Sequence, residues 1–172
     1  MNIAEAVRIL DESIVDRRIG LPDDIFYFIT RTTPMVNVDL LIHDTKGRTL
    51  LSWRDDELCG KGWHIPGGIV RYMETLEQRI QKTAEKELGT GVTYNPKPLV
   101  IEEILLPELE NRGHFISFLY ECSVPEDYTP INTGKDVGIS GYLMWHDTCP
   151  DNLIGVHERY RKFINKKEVD RK

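Results

Sequence analysis

The period of the hydrophobic positions changes near residue 35, and this change predicts where helices give way to strands. Residues 2–15 carry apolar side chains at helical spacing, and a second, short helix is predicted to start at Pro22-Asp23-Asp24 and to end before Thr33-Pro34. Residues 35–54 then alternate apolar and polar side chains around a central turn. This alternation predicts a β-hairpin.

One longer helix stands among the remaining strands. The apolar residues between Leu76 and Leu88 fall on one stripe, so we predict a helix from about Met73 to Leu88, with Gly89 as its C-cap. Short strands are predicted at 63–65, 99–106, 115–122 and 142–145, and a last helix at 156–164. This order predicts an α/β (α+β) fold in which helices sandwich a mixed sheet.

The chain length bounds the domain organisation. A chain of 172 residues is long enough for one compact domain with an extension. We predict an N-terminal helical extension at 1–30, a single domain at 31–165 and a charged tail at 166–172.

Composition and charge narrow the class of partner. A formal net charge of −6 argues against a nucleic-acid binder, which would carry a basic face, although it leaves room for a nucleotide ligand. Three widely spaced cysteines show no metal-ligand pattern and favour a reduced, cytoplasmic chain. No apolar run reaches membrane-spanning length, so we expect neither a membrane nor nucleic acid as a partner.

The segment from Gly68 to Gly89 carries the chemistry. A glycine turn leads into an acidic helix, an arrangement that can hold a divalent metal against a diphosphate. Glu87 lies at the margin of the apolar stripe, where a carboxylate is unusual, and the backbone carbonyl of Gly68 is a second candidate Mg²⁺ ligand. The alternative is that Glu87 is a solvated last-turn residue paired with Lys82 or Lys86.

The pattern around this segment resembles the signature of the Nudix hydrolases, which cleave nucleoside diphosphates linked to another moiety. The matching residues are Pro66-Gly67-Gly68, Glu74, Lys82, Ala84 and Glu87-Leu88-Gly89. The family pattern has arginine at Lys82, and it has glutamate at Thr83 and Lys86. Two of the three metal-binding carboxylates of the family are therefore absent, and Glu87 is the one that matches.

One branch of the family, the GDP-mannose mannosyl hydrolases, also keeps a single motif glutamate. The chain is similar to this branch over roughly residues 25–164, including Thr33 to Asp39, Leu50 to Arg54 and Asn152 to Phe163. The resemblance implies a Nudix α/β/α sandwich, a homodimer and an Mg²⁺ cofactor, with Mn²⁺ as a substitute. It further implies attack of water on the sugar of a nucleotide sugar such as GDP-mannose, with release of the nucleoside diphosphate.

The same resemblance implies roles for individual residues. Glu87 and the Gly68 carbonyl would bind Mg²⁺, and Arg54 would stabilise the departing diphosphate. Asp39 would help to hold the substrate, and Trp63 and Arg71 complete the predicted substrate-binding set. From the residues alone, Arg54 is equally a solvated charge at a strand end, and Asp39 a polar position on an edge strand.

Two departures from the mannosyl hydrolases bear on catalysis. Ile69 replaces an arginine, and the loop before the last strand lacks the Gln-His pair that supplies a metal ligand and a general base. Asp136 lies in that loop and is our predicted replacement for the base. Further candidates for the base are Glu102, Glu103, His64 and His114.

Three functions therefore stay open at the level of the sequence. They are hydrolysis of a nucleotide sugar at carbon, hydrolysis of a nucleoside diphosphate derivative at phosphorus, and binding of a nucleotide sugar without turnover. The N-terminal helix raises a separate question, because its apolar stripe of Ile3, Val7, Leu10 and Ile14 must be buried. It packs either on its own domain or across a homodimer.

Overall fold

Eight strands form one mixed sheet within residues 2–57 and 59–164, which the computed structural model describes. The predicted charged tail at 166–172 lies outside the described residues. The elements follow one another along the chain as α1 (Ile3–Ser13), α2 (Asp23–Thr30), β1 (Met35–His43), β2 (Thr49–Asp56), β3 (Gly60–His64), β4 (Gly67–Ile69), α3 (Leu76–Leu88), β5 (Thr93–Tyr94), β6 (Val100–Leu105), β7 (His114–Ser123), β8 (Leu143–His146), a 3₁₀ helix (Gly155–Tyr160) and α4 (Arg161–Ile164).

The strands β1 and β7 lie at the centre of the sheet. The main path runs β3-β2-β1-β7-β5, while β4 pairs with β1, β6 with β7 and β8 with β2. Strands β1 and β7 are parallel, in register from Met35 opposite Phe115 to Ile42 opposite Cys122, and the other pairs are antiparallel. The predicted mixed sheet is confirmed.

The two faces of the sheet are covered by different helical segments. On one face, Val38 and Leu40 of β1 pack with Ile80 and Leu88 of α3. On the other face, alternate strand residues such as Leu41 pack in a second cluster with Tyr160 and Ile164 of the C-terminal helical segment. The helices thus sandwich the sheet, as the sequence pattern predicts.

The start of α3 differs from the prediction. The helix begins at Leu76 rather than Met73, because Thr75 is its N-cap and forms a capping box with Gln78. Met73 has a φ of 58°, which is incompatible with helical backbone. The end of the helix is confirmed, since Gly89 is the C-cap in the left-handed conformation with a φ of 72°.

Three further elements correct the sequence reading. The predicted glycine turn at 66–68 is instead the start of β4, where Gly67 and Gly68 pair with Asp39 and Val38 of β1. The two-residue strand β5 is too short to leave a periodic signal. The predicted last helix is a 3₁₀ helix for its first six residues and an α-helix for the next four.

The N-terminal extension packs unevenly. None of the described residues of α1 is buried, and Ile3 and Val7 are 85% and 51% exposed. The single chain therefore does not fully bury the apolar stripe, and the alternative in which it packs on its own domain is not confirmed. Helix α2 is anchored instead, because it buries Ile25 and Thr30. Across the described part of the chain, no helix combines the length and the apolar character needed to span a bilayer.

Candidate active site

A cavity of about 270 Å³ opens where β1, β4, α3 and the 3₁₀ helix meet. Strand β1 contributes Asp39, β4 contributes Gly68, α3 contributes Glu87 and the 3₁₀ helix contributes His157. These residues are far apart in the sequence, and the central position of β1 in the sheet brings them together.

Most of the predicted site residues line this cavity. The structure brings together Asp39, Arg54, Gly68, Arg71 and Glu87. His64, one of the candidates for the general base, also lines it.

Two predicted site residues lie elsewhere. Trp63 is 4% exposed and belongs to the core, where its ring packs edge-on against Trp53 with centroids 5.2 Å apart. Asp136 is exposed in the loop before β8 and is not among the lining residues. The base candidates Glu102, Glu103 and His114 do not line the cavity either.

Glu87 faces the cavity without an ion pair among the described residues. The surrounding protein desolvates its carboxyl group and raises its pKa to about 7. The charges of Arg54 and Lys86 and a hydrogen bond from the Gly67 backbone act in the opposite direction and do not offset this desolvation. The alternative of a last-turn pair with Lys82 is not observed, because Lys82 pairs with Glu74.

Glu74, the other motif glutamate, is neutralised. Its side chain is 4% exposed and accepts a hydrogen bond from the backbone N–H of Arg71 at 2.9 Å. Arg79 and Lys82 form salt bridges with its two oxygens at 2.6 and 3.0 Å. Desolvation raises the pKa of Glu74, but these contacts outweigh it and lower the pKa below its usual value. Glu74 therefore ties the loop before α3 to the helix.

The two glycines of β4 allow close approach to the cavity. A Cβ at Gly67 would collide with the carboxylate of Asp39, and a Cβ at Gly68 would lie 2.5 Å from Oγ1 of Thr83. This Thr83 hydroxyl is buried and has no hydrogen-bond partner among the described residues. A side chain at either position would therefore force neighbouring atoms to move, and a polar atom is left unsatisfied beside them.

These features fit a magnesium ion that shares its ligands with a substrate. The described residues contain no group of three His, Cys, Asp or Glu side chains able to hold a metal by themselves. Mg²⁺ needs only one or two carboxylates when substrate phosphate oxygens and water complete its shell. Glu87 is such a carboxylate, and its raised pKa shows that the free protein supplies it with no sufficient counter-charge.

Asp39 is buried within a network of donors. Oδ2 accepts hydrogen bonds from the hydroxyls of Ser117 at 2.5 Å and Tyr160 at 3.1 Å, and Oδ1 accepts one from the Asn37 amide at 2.9 Å. Burial raises the pKa of Asp39 to about 6, although these hydrogen bonds and the charge of Arg54 lower it. The carboxyl group is therefore held in one orientation and is mostly ionised at neutral pH.

His157 is a cavity residue to which sequence reasoning assigns no role. Its Nδ1 accepts a hydrogen bond from the Ile65 backbone N–H at 3.0 Å, so a neutral ring carries its proton on Nε2, 4.0 Å from Oδ1 of Asp39. Burial, together with the charges of Arg54 and Arg159, lowers the pKa of His157 to about 3. At neutral pH His157 is a hydrogen-bond donor toward the cavity and not a proton acceptor.

The cavity concentrates positive charge in an acidic protein. Five basic side chains line it, against the carboxylates of Asp39 and Glu87: Arg54, Arg71, Arg79, Lys86 and Arg112. Two of the five are paired with carboxylates outside the lining, Arg79 with Glu74 and Arg54 with Asp56. The whole chain has a formal net charge of −6. A cavity of this kind suits a polyanion, such as a diphosphate, accompanied by a divalent cation.

Comparison with known proteins agrees with this geometry. The NUDIX domain model matches residues 33–165. The chain is 30% identical over 116 residues to the low-salt glycan biosynthesis protein Agl8 of Haloferax volcanii, a match that covers 66% of this chain and 74% of Agl8.

Solved structures share the fold. The MutT protein from Methanosarcina mazei Go1 superimposes with a TM-score of 0.59 at 18% identity, covering 78% of this chain and 95% of that protein. A UDP-X diphosphatase superimposes with a TM-score of 0.56 at 15% identity, covering 96% of this chain and 70% of that protein. Because the NUDIX model spans most of the sequence, including the whole sheet and α3, the chain belongs to the Nudix hydrolase family.

Proposed function

We propose that the protein is a Mg²⁺-dependent hydrolase that splits a nucleotide sugar, such as GDP-mannose, into a nucleoside diphosphate and a free sugar. The observation that carries this proposal is Glu87, a carboxylate with a raised pKa that shares one cavity with five basic side chains. A ligand that brings both a cation and a diphosphate supplies a partner for Glu87 and for the basic side chains at once.

Five of the cavity residues have roles in this part of the proposal. Glu87 and the Gly68 carbonyl would hold Mg²⁺, which supplies charge neutralisation at the diphosphate and a lowered pKa for water. Arg54 and Lys86 line the same cavity as Glu87, and both would stabilise the diphosphate as negative charge develops on it. Arg54 also pairs through Nε with Asp56 at 3.3 Å, so the diphosphate would share the charge of Arg54 with that carboxylate. Nε2–H of His157 would donate a hydrogen bond to the bound substrate.

Asp39 is the lining carboxylate that remains once Glu87 holds the cation. Its pKa of about 6 leaves it ionised at neutral pH, and three donors fix its orientation. We infer that Asp39 orients the substrate or takes the proton of the attacking water. The role of Asp136 as the base stays a prediction, which its exposed position in the loop does not favour.

The relatives support a sugar-linked substrate only through their names. Agl8 is named for glycan biosynthesis, and the UDP-X diphosphatase for a nucleotide derivative. Nudix folds host many substrates, so the fold alone does not identify one. A second function has its own support: Thr83 and Lys86 occupy the positions of two motif glutamates, and this replacement favours a module that binds a nucleotide sugar without turnover.

Isotope labelling tests the reaction. The protein is incubated with Mg²⁺ and a panel of nucleotide sugars in ¹⁸O-water, and mass spectrometry locates the label. We expect the label in the free sugar. Label in phosphate would mean attack at phosphorus, and binding of a nucleotide sugar without any turnover would identify a binding module.

We also infer that the chain forms a homodimer through α1. The support is the exposed apolar surface of this helix, since Ile3, Val7 and Leu10 are at least 40% exposed in the single chain. Light scattering should give twice the mass of the 19.9 kDa chain, and Val7→Asp should give the monomer mass. A monomeric wild-type protein at micromolar concentration would contradict this. The cytoplasmic location stays a prediction.

A further inference from the structure

The charge of Arg54 acts on four ionisable side chains of the cavity, which come from four different elements. Burial is the main influence on the pKa of each of them, because it raises the pKa of Asp39 and Glu87 and lowers that of His64 and His157. The charge of Arg54 lowers all four pKa values. The position of this one guanidinium group therefore matters for the whole cavity.

The alternation of side chains along β2 places Arg54 and Asp56 on one face of the sheet. Leu50 packs in the cluster with α3, whereas Leu51 packs in the cluster with the C-terminal helical segment. Because successive strand residues point to opposite faces, Arg54 and Asp56 share the α3 side with Leu50, and Asp55 points to the other side. Strand β2 ends at Asp56, so this pair lies where the strand meets its turn.

Asp56 connects this turn to the guanidinium group of Arg54. Its Oδ1 accepts a hydrogen bond from the backbone N–H of Cys59 at 2.7 Å, and its Oδ2 lies 3.3 Å from Nε of Arg54. Nη1 of Arg54 also donates to Sγ of Cys59 at 3.5 Å. Arg54 and Cys59 line the cavity, whereas Asp56 is not among the lining residues. The carboxylate of Asp56 thus contacts Arg54 from outside the cavity.

These contacts leave part of the guanidinium group for a ligand. A guanidinium carries N–H donors on Nε and on both Nη atoms. Within the part of the chain that the structure describes, Nη2 of Arg54 has no hydrogen bond or ion pair, and the side chain is 29% exposed. An arginine side chain loses rotamer freedom when a ligand fixes it, and this loss is smaller for a guanidinium that the protein already holds.

We propose that Asp56 is a positioning residue, which orients the guanidinium group of Arg54 through Nε and leaves the Nη donors for the diphosphate. This role rests on the proposed function in one respect, namely that Arg54 binds the diphosphate of the ligand. Asp56 also carries a negative charge, which by itself repels a diphosphate. Removal of the charge therefore weakens diphosphate binding through lost orientation and strengthens it through lost repulsion. The side chain of Asp56 is 41% exposed, so solvent and salt screen the repulsion, and the loss of orientation should be the larger effect.

Isothermal titration in Mg²⁺ tests this role with the α,β-methylene analogues of GDP, ADP and UDP, of which the one that binds the wild type most tightly is used. Asp56→Asn keeps an oxygen for the Cys59 N–H and loses the carboxylate that faces Nε. We expect it to weaken binding about 3- to 10-fold at about 0.5 M NaCl, where the screening length is about 4 Å. Asp56→Glu keeps a carboxylate and should recover most of the lost affinity. Asp55→Asn is the matched control and should leave the affinity unchanged, because Asp55 pairs with Lys61 at 3.0 Å on the opposite side of the sheet.

A double-mutant cycle shows whether Asp56 acts through Arg54. Arg54→Lys keeps the charge but loses the Nε donor and the planar group that Asp56 orients. In the Arg54→Lys background, Asp56→Asn should weaken binding by less than about twofold, because two residues that act through one contact are not additive. Equal weakening by Asp56→Asn in both backgrounds would contradict the positioning role.

The Nε–H group of Arg54 gives a test that needs no ligand. Its ¹H–¹⁵N signal, identified by its loss in Arg54→Lys, should exchange with solvent faster in Asp56→Asn than in the wild type or in Asp55→Asn. Unchanged exchange in Asp56→Asn, or an affinity for the analogue that stays the same or rises, would overturn the positioning role and leave the proposed function intact. If no analogue binds the wild-type protein, the proposed function fails and the positioning role fails with it.

Discussion

The two glutamates near the ends of α3, Glu74 and Glu87, have opposite surroundings. Glu74, in the loop before the helix, is 4% exposed and is paired with two cations and a backbone N–H. Glu87, in the last turn, faces a cavity and has no ion pair among the described residues. The pKa of Glu74 is lowered, whereas that of Glu87 is raised to about 7.

The difference separates a structural carboxylate from one that awaits a ligand. Ion pairs fix the loop at the start of the helix, so Glu74 contributes to the folded state without help from outside. Glu87 contributes nothing comparable to stability, and it gains a full counter-charge only when a cation enters the cavity. Substitutions at the two ends should therefore separate stability from activity.

The largest effect is expected from Glu87→Gln. Loss of the carboxylate should lower Mg²⁺-dependent kcat by about 10³-fold, because a metal contributes several kcal/mol to transition-state stabilisation. The melting temperature should stay the same or rise, since an unpaired carboxylate is removed. Glu85→Gln, an exposed position on the same helix, serves as the control in the same assays. Near-normal turnover in Glu87→Gln would refute its role as a metal ligand.

The ionisation of Glu87 should also contribute to the pH dependence of the free energy of unfolding. Because the pKa of Glu87 is raised from 4.5 to about 7, the folded protein retains a proton that the unfolded chain loses across this interval. The free energy of unfolding of the wild type should thus fall, relative to Glu87→Gln, on the order of 3 kcal/mol as pH rises through this interval. Denaturant titrations of both proteins isolate Glu87, because the opposite contribution of His157 is common to both. Above pH 7, Mg²⁺ should reduce the difference in free energy of unfolding between the wild type and Glu87→Gln. A difference that does not change with pH would contradict the raised pKa.

A smaller effect, on stability rather than on turnover, is expected from Glu74→Gln. Removal of this charge leaves Arg79, whose side chain is 14% exposed, without its partner. The free energy of unfolding should fall by about 2 kcal/mol, the range for a hydrogen bond to a charged group. Denaturant melts measure this loss. Turnover at a temperature where the variant is folded should stay within a few-fold of the wild type, in contrast to Glu87→Gln.

The smallest effect is expected from Lys82→Ala. Lys82 pairs with the same carboxylate as Arg79, but its side chain is 57% exposed. An exposed pair is worth less than about 1 kcal/mol and is screened by salt. The same denaturant melts at low and high ionic strength should show a small loss that disappears in salt. A loss as large as that of Glu74→Gln would mean that Lys82, rather than Arg79, is the main partner through which Glu74 stabilises the loop before α3.

Local patterns were sufficient to predict most of the fold. The apolar stripe and Gly89 predict α3, and the alternating residues of β1 and β2 predict these two strands. Such predictions work because helical and strand periods are properties of neighbouring residues. The exceptions are local as well. The capping box of Thr75 and Gln78 delays the start of α3, and a strand such as β4, with two glycines, carries no hydrophobic alternation.

The candidate site was only partly predictable for a physical reason. Glu87, Gly68, Arg54 and Asp39 could be predicted through the motif and its surroundings. The role of His157 depends on the Ile65 backbone, 92 positions away, which fixes its tautomer. The unsatisfied hydroxyl of Thr83 likewise depends on burial, which no spacing in the sequence encodes.

The central pairing of β1 with β7 also bears on the order in which the chain can be assembled on the ribosome. Asp39 takes two of its three side-chain hydrogen bonds from Ser117 and Tyr160, 78 and 121 positions further along the chain. Synthesis must pass both residues before this carboxylate can acquire these two donors, and each closure of so long a loop slows folding. The cavity is therefore a late product of translation, and a nascent chain that already contains β1 and all of α3 still lacks it.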